Sequence, residues 1–260
     1  MQASGVSAGV IESARRLLWR FDISLPRGRR DFERQLLIWT GFAVAYATVR
    51  WLAAGGSAEA LRNGERLIRL ERRLGGLPEL SLQHRLLAAG SFPVHVVNWT
   101  YWVAQFLIVP VGLLWIYLRR NNGYLRLRNT LIVANTIALT GYLFFPTAPP
   151  RLVPDSGFVD TLARSEIVNE GSGLIRVFAN PYAAMPSIHA ADALIVGLAI
   201  AISVRRWWVR AIFLLWPLWV GLCLVATGNH LIIDVAAGAV VAAFGVVTTR
   251  HWRRPISPGG

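Results

Sequence analysis

The amino-acid sequence predicts an all-α integral membrane protein, a bundle of six transmembrane helices with an additional amphipathic interfacial helix. Hydrophobic residues make up 54% of the 260 positions and charged residues only 16%. This balance excludes a disordered chain, and the single Cys excludes a disulfide scaffold. Six apolar runs approach the ~20 residues that a helix needs to cross a hydrocarbon core.

The six apolar runs follow one another along the chain after residue 35. They cover 36–52, 93–118, 129–147, 188–204, 209–226 and 231–249. Several runs are short and polar at one end, as expected where a helix opens onto a site. Pro110 in the second run predicts a kink, because its ring removes a backbone hydrogen bond.

The distribution of charge predicts both the partner and the orientation. The chain has a net charge of +13, and all of its 27 basic residues are Arg. These Arg residues cluster at the ends of apolar runs, so an anionic membrane surface is a simpler partner than nucleic acid. One set of alternate connecting segments, which includes both termini, holds 17 Arg, and the other set holds nine. The positive-inside rule therefore places both termini in the cytoplasm.

Three polar clusters interrupt the apolar pattern, and the predicted topology brings all three to the outer face of the membrane. The third run ends in FPTAPPRL (145–152), the fourth begins with AMPSIH (184–189), and the sixth begins with TGNHLIID (227–234). Their agreement on one side indicates a shared site, because unpaired polar and charged groups inside a membrane cost several kcal/mol.

Two histidines and one carboxylate in these clusters suit proton transfer and nucleophilic attack. His230 and Asp234 are four residues apart, so on a helix their side chains share a face and can meet. A carboxylate bonded to one imidazole nitrogen fixes the tautomer and leaves the other nitrogen free as a nucleophile. His189 can hold a proton for a leaving group. The alternatives are a structural contact between helices or a pair of metal ligands, although no third ligand lies nearby at helical spacing.

Other residues of the clusters suit a phosphate. Pro186 and Ser187 precede a helix, so free backbone N–H groups and the positive end of the dipole point toward the site. Arg151 follows two prolines and offers a planar fork that matches phosphate oxygens. A lone Arg in this position otherwise anchors a helix to lipid headgroups.

Segment 57–74 predicts an amphipathic helix. Five apolar residues recur in it at approximate helical spacing, with charges of both signs between them: Leu61, Leu67, Ile68, Leu70 and Leu74. The helix either lies flat on the outer membrane interface or forms a soluble lid over the site.

With its three motifs, the region 93–249 resembles the type-2 phosphatidic acid phosphatase superfamily, and within it the inositol phosphorylceramide synthase (inositolphosphotransferase)-like branch. The resemblance implies a six-helix membrane core and a metal-independent, two-step reaction without a cofactor. It implies that His230 attacks phosphorus and forms a phosphohistidine, that Asp234 orients His230, and that His189 protonates the departing alcohol. Arg151 and Ser187 would hold the phosphoryl oxygens.

The resemblance also has departures. The family's first motif usually carries a Lys, which this chain lacks, and its third motif usually carries an Arg where this chain has Leu224. The synthase-like branch shares a reduced motif set of this kind. Arg164 or Arg176 could replace a missing cation, or else face solvent and headgroups.

Further polar residues near the motifs are accessory candidates. Asn229 is a candidate for binding the substrate phosphate, and Tyr182 is a possible donor behind it. Asp192 lies three residues after His189 and could raise its basicity, bind a polar headgroup, or simply favour the helix dipole. A further set shares one face of the second run and either bonds between helices or lines the substrate cavity: His95, Asn98 and Gln105.

These expectations divide the chain into four regions: an Arg-rich leader (1–35), a first helix with the outer interfacial segment (36–92), a five-helix catalytic core (93–249) and a cytoplasmic tail (250–260). The predicted function is phosphoryl transfer on a phospholipid or polyprenyl phosphate at the extracytoplasmic face of the cell membrane. It takes the form of a phosphatase or of a transferase that moves a phosphorylated headgroup onto a lipid hydroxyl. A non-catalytic scaffold or lipid-binding protein is the third hypothesis. The sequence predicts no nucleic-acid partner and sets no oligomeric state.

Overall fold

The all-α class is confirmed. The computed structural model describes residues 25–53, 57–163 and 182–250, and within them the chain forms helices and connecting segments, with one isolated bridge between Thr147 and Ala183. The helices of these ranges are α1 (Gly28–Ala53), α2 (Ser57–Leu74), α3 (Pro78–Ala88), α4 (Ser91–Val103), α5 (Val109–Arg119), α6 (Asn121–Phe144), α7 (Ile188–Ser203), α8 (Trp207–Ala226) and α9 (Ile232–Thr249). The candidates Arg164 and Arg176 lie outside the described residues.

All six predicted apolar runs fall in helices, but the count of six spans is not confirmed. In the described part of the chain, three helices are long and apolar enough to cross a membrane: Ser91–Arg119, Trp207–Ala226 and Ile232–Thr249. Helix α7 is apolar but has only 16 residues. Helices α1 and α6 are long, but Arg and other polar residues lower the hydropathy of each. Three spanning helices still make the chain a multi-pass membrane protein.

A π-helical turn lies just before Pro110, where the sequence predicts a kink. Helices α4 and α5 are joined by this turn, Ala104–Ile108, into one continuous span. Pro110 has no backbone N–H to donate, and the regular α-helical hydrogen-bond pattern is interrupted by the wider π-helical turn just before it. Gln105, in the turn, lines the central cavity.

Helix α7 lies at the centre of the bundle and contacts α5, α6, α8 and α9. Two glycines allow the segment before it to approach its neighbours. A Cβ at Gly238 of α9 would collide with the carbonyl oxygen of Ser187, and a Cβ at Gly141 of α6 would lie 2.9 Å from Cδ of Pro186. The starts of α7 and α9 are therefore in backbone contact, which brings the AMPSIH and TGNHLIID motifs together.

Helix α2 has the predicted bounds, and its buried face packs against protein. Ala60 and Leu67 belong to one cluster with Ala148 of the FPTAPPRL segment. The amide of Ala148 donates to the carbonyl of Ala60 at 2.9 Å, and Asn63 Nδ2 donates to the carbonyl of Pro146 at 2.9 Å. The buried face of α2 is therefore occupied by the motif segment. Whether the helix also lies on the membrane interface stays a prediction.

Candidate active site

A cavity of about 250 Å³ lies at the junction of α1, the α4–α5 span, α6 and α7 with the motif segments. Most of its wall is aromatic or aliphatic. The structure brings five of the predicted site residues to this cavity: Arg151, His189, Asp192, Asn229 and His230. Gln105 and Asn135 complete its polar lining. Ser187 and Asp234 lie behind the wall and are almost fully buried.

The hydrogen bonds of His230 define its tautomer. Its Nδ1 lies 2.9 Å from the carbonyl oxygen of Ala184, and its Nε2 lies 3.3 Å from Oγ of Ser187. A carbonyl oxygen only accepts, so Nδ1 carries the proton and donates it to Ala184. Nε2 then keeps its lone pair and accepts from the hydroxyl of Ser187. In the neutral ring, Nε2 is therefore the nitrogen whose lone pair is available to act as a base or a nucleophile.

The orienting hydrogen bond expected from Asp234 to His230 is not formed, and Ala184 takes its place. The Oδ2 of Asp234 lies 3.8 Å from Nδ1 of His230. It instead accepts the amide N–H of Leu231 at 2.8 Å. Asp234 is the third residue of α9, so its carboxylate bonds back to the first free amide of its own helix, as in one half of a capping box. The carboxylate of Asp234 can stabilise a positive charge on the ring of His230 electrostatically, without a hydrogen bond to it.

His189 faces His230 across the cavity. The two ring centroids are 6.0 Å apart, and the ring of His189 stacks on Tyr101 at 4.4 Å with an interplanar angle of 24°. Among the described residues, Nε2 of His189 has no hydrogen-bond partner. A stacked ring with an unengaged nitrogen is suited to exchange a proton with a group that enters the cavity.

Arg151 is held by an acceptor on each side. Its side chain is 4% exposed, its Nε donates to Oδ1 of Asn229 at 2.8 Å, and its Nη1 pairs with the carboxylate of Asp160. The Nδ2 of Asn229 donates in turn to Oγ1 of Thr227 at 2.8 Å. Both polar ends of Asn229 thus engage the protein, and Asn229 helps to position Arg151. That Asn229 binds the substrate phosphate stays a prediction. Sequence analysis missed Asp160, whose only signal is a carboxylate nine residues after a buried Arg.

Ser187 caps α7. Its Oγ accepts the amide N–H of Ala190 at 3.3 Å, as the sequence predicts for a helix start, and its own amide donates to the carbonyl of Asp234 at 3.1 Å. Tyr182 is not brought to the cavity. It packs beside the cluster under α2, and its carbonyl oxygen accepts from the amide of Thr147 at 2.9 Å.

The three polar residues on one face of the second apolar run do not share one role. Gln105 lines the cavity and donates to Asp192 at 2.9 Å. Asn98 instead bonds to Thr161 in a connecting segment, and His95 is half-buried and bonds to the carbonyl of Ser91 in its own helix. Only the deepest of the three residues contacts the site.

Two buried glutamates beneath His230 were missed from sequence. Glu71 of α2 accepts the amide N–H of Ile233 at 2.7 Å, and Glu79 of α3 accepts that of Ile232 at 3.4 Å. Burial, followed by a hydrogen bond with Glu79, raises the pKa of Glu71 to about 8, and the nearby charge of Asp234 adds to this rise. The signal was present: Glu71 falls four residues after Leu67, on the apolar face of its helix.

A metal site finds no support in the described part of the chain. No group of three or more His, Cys, Asp or Glu side chains there could hold an ion. Glu71, Glu79 and Asp234 each bind a backbone amide of the start of α9 instead. That the reaction needs no metal stays a prediction.

Comparison with known proteins gives one family and one curated relative. Residues 65–248 match a family described as the PAP2 superfamily. The chain is 28% identical over 151 residues to a phosphoinositol dihydroceramide synthase of Bacteroides thetaiotaomicron. That match covers 53% of this chain and 50% of the relative, so the chain spans about half the length of the curated relative it matches. No solved structure matches the chain.

Proposed function

The chain belongs to the PAP2 superfamily, and from this premise we propose that His230 transfers the phosphoryl group of a lipid phosphate. The family and the curated relative identify a lipid phosphatase or phosphotransferase, which disfavours the hypothesis of a non-catalytic scaffold. One observation carries the residue assignment: Arg151, His189 and His230, from three separate motifs, line a single cavity whose other walls are mostly apolar. Such a cavity suits a lipid with one charged group.

In the first half-reaction, Nε2 of His230 attacks phosphorus and the bond to the leaving alcohol breaks. Protonated His189, on the opposite side of the cavity, gives its proton to the departing oxygen. Arg151 offsets the charge on the phosphoryl oxygens. The substrate displaces the contact between Ser187 and His230, and the Ser187 hydroxyl then donates to a phosphoryl oxygen.

The second half-reaction regenerates His230. An acceptor hydroxyl gives its proton to His189 and attacks phosphorus, and the P–N bond breaks. With water as the acceptor the protein is a phosphatase. The curated relative is named a phosphoinositol dihydroceramide synthase, and this name favours a second form, in which a lipid hydroxyl accepts a phosphorylated headgroup. In both forms the substrate is a phospholipid or polyprenyl phosphate, the site opens at the outer face of the cell membrane, and both termini are cytoplasmic.

The test is turnover by the purified protein in liposomes that contain a metal chelator. Phosphatidic acid, a polyprenyl diphosphate and phosphatidylinositol are offered separately. Phosphate release indicates the phosphatase, and a new phospholipid without phosphate release indicates the transferase. We expect His230→Ala and His189→Ala each to lower turnover by roughly 10³-fold or more, because each removes a group that acts on the reacting atoms.

The matched control is His84→Ala, which removes an exposed histidine and should retain full turnover. Labelling tests the first half-reaction by itself. Phosphate that stays bound to the wild-type protein in base, and is absent from His230→Ala, marks the phosphohistidine. Turnover that persists in His230→Ala would refute the assignment of the nucleophile. Turnover that disappears with the chelator would refute the metal-free mechanism.

A further inference from the structure

A carboxylate lies in the wall of the cavity, about one helical turn beyond His189. Asp192 is 3% exposed and belongs to α7, whose other residues are almost all apolar. It follows His189 by three residues, so it lies about one helical turn further along the same side. A buried ionisable group in a membrane helix is expensive, and its retention points to a function.

The carboxylate of Asp192 is held by two amide side chains from other helices. Gln105 Nε2 donates to one of its oxygens at 2.9 Å, and Asn135 Nδ2 donates to the other at 2.7 Å. All three residues line the cavity. In the described ranges no Arg forms an ion pair with Asp192. The cavity therefore has two unlike polar patches: one with Arg151 and the histidines, and one with a carboxylate and two amides.

We infer that Asp192, Gln105 and Asn135 form a hydroxyl-binding subsite for the lipid substrate. The inference rests on the proposed function, since it assigns a second contact to the same ligand. A carboxylate repels phosphate, so this patch cannot hold the phosphoryl group. It has about four lone-pair positions, and the two amides occupy two of them. A hydroxyl that donates to a free position satisfies the patch, whereas a ligand without one leaves a buried charge under-bonded.

The hydroxyl has two possible sources with the same chemistry: the polyol headgroup of the donor lipid, or the alcohol of an acceptor lipid. Both would place an O–H beside Asp192 while phosphorus lies between His189 and His230. A purely structural Asp192, which only joins three helices, would lack this preference. Its removal would weaken all ligands alike.

The experiment measures binding, in nanodiscs, to protein that carries His230→Ala to prevent turnover. Native mass spectrometry compares three probes: phosphatidic acid, with no headgroup alcohol; phosphatidylinositol, with headgroup hydroxyls; and hexadecanol, with a hydroxyl and no phosphate. We expect Asp192→Asn to weaken phosphatidylinositol, hexadecanol or both by about tenfold, the loss expected for one hydrogen bond to a charged group. Phosphatidic acid should change by less than about twofold. The probe that weakens identifies the source of the hydroxyl.

A matched control removes a buried bond between helices outside the cavity. Thr130 and Thr249 are joined at 2.7 Å between α6 and α9, so Thr130→Val should leave all three affinities unchanged. If Asp192→Asn fails to fold, Gln105→Leu tests the same patch and should weaken the same probe. Equal weakening of all probes, or of none, would overturn the subsite. Selective weakening in a protein that turns over no lipid phosphate would leave the subsite intact and refute the proposed function instead.

Discussion

The starts of α7 and α9 each bring a histidine to the cavity, but they differ in the groups that lie at the positive end of the helix dipole. At the start of α9 the amide N–H groups of residues 231–233 donate to three carboxylates, from Asp234, Glu79 and Glu71. These three carboxyl groups occupy the free amides at the positive end of the dipole and hold the backbone that carries His230. The start of α9 therefore anchors His230 and is a poor site for an anion.

At the start of α7 the cap is neutral. The hydroxyl of Ser187 accepts the amide N–H of Ala190, and the described residues place no carboxylate there. The positive end of this dipole remains, with Arg151 also lining the cavity. On the proposed mechanism, phosphate would bind toward α7 and Arg151, and His230, just before α9, would attack it.

The strongest way to break this difference is to give α7 a carboxylate as well. Asp is a good helix cap, so Ser187→Asp should fold and keep its apparent melting temperature. Its charge would lie beside both His230 and the bound phosphate, and like charges in contact cost several kcal/mol. We expect kcat/KM for the preferred lipid phosphate to fall by about 10³-fold.

The matched control is Ser187→Asn, because Asn has nearly the same size as Asp and also caps helices but carries no charge. It should retain at least about ten times more activity than Ser187→Asp, measured by turnover in liposomes. Equal losses of activity in the two variants would mean that the loss comes from the limited space around Ser187 and not from charge. The electrostatic difference between the two helix starts would then have no effect on activity.

A smaller effect should follow when the cation beside α7 changes shape but not charge. Arg151 uses Nε for Asn229 and Nη1 for Asp160, and the single ammonium of Lys cannot occupy both positions. We expect Arg151→Lys to lower kcat/KM by roughly 10²-fold, in line with the loss of one preorganised transition-state contact. The exposed Arg62→Lys provides a control. Wild-type turnover in Arg151→Lys would show that charge alone suffices at α7.

Sequence pattern predicted the parts of this arrangement that local chemistry determines. Hydropathy placed all six apolar runs in helices, because burial in lipid depends on composition over ~20 residues. Ser187 was recognised as a cap for the same local reason. The agreement of three motifs on one membrane face predicted that Arg151, His189 and His230 line one cavity. The count of six spanning helices, by contrast, is not confirmed: in the described part of the chain three helices are long and apolar enough to span.

Contacts between distant segments could not be predicted. The partner of His230 Nδ1 is the backbone carbonyl of Ala184, and a carbonyl is present at every residue, so it has no sequence signature. The spacing of His230 and Asp234 suggested a pair, but a carboxylate at the third position of a helix has a nearer donor in its own first turn. The position of Glu71 on the apolar face of its helix signals burial, but nothing in the sequence indicates that Glu71 and Glu79 bind the amides at the start of α9.

The mildest perturbation acts on the carboxylates that anchor α9. The raised pKa of Glu71, about 8, means that the folded protein retains a proton there which the unfolded chain releases near pH 4.5. This proton-linked contribution to stability is complete below pH 4.5 and is lost as the pH rises through about 8. The groups that face Glu71 are Glu79 on α3 and Asp234 on α9, and both repel its ionised form.

Glu71→Gln tests this anchor, because the amide keeps an oxygen for Ile233 and cannot ionise. The apparent melting temperature is measured at pH 5 and at pH 8.5. We expect it to fall more in the wild type than in Glu71→Gln, by at least about 2–4 °C, which corresponds to roughly 1 kcal/mol. The control Glu65→Gln changes an exposed glutamate of the same helix, paired with Arg69, and should behave as the wild type. Parallel pH curves for wild type and Glu71→Gln would mean that Glu71 is ionised throughout, and that the start of α9 tolerates three full charges.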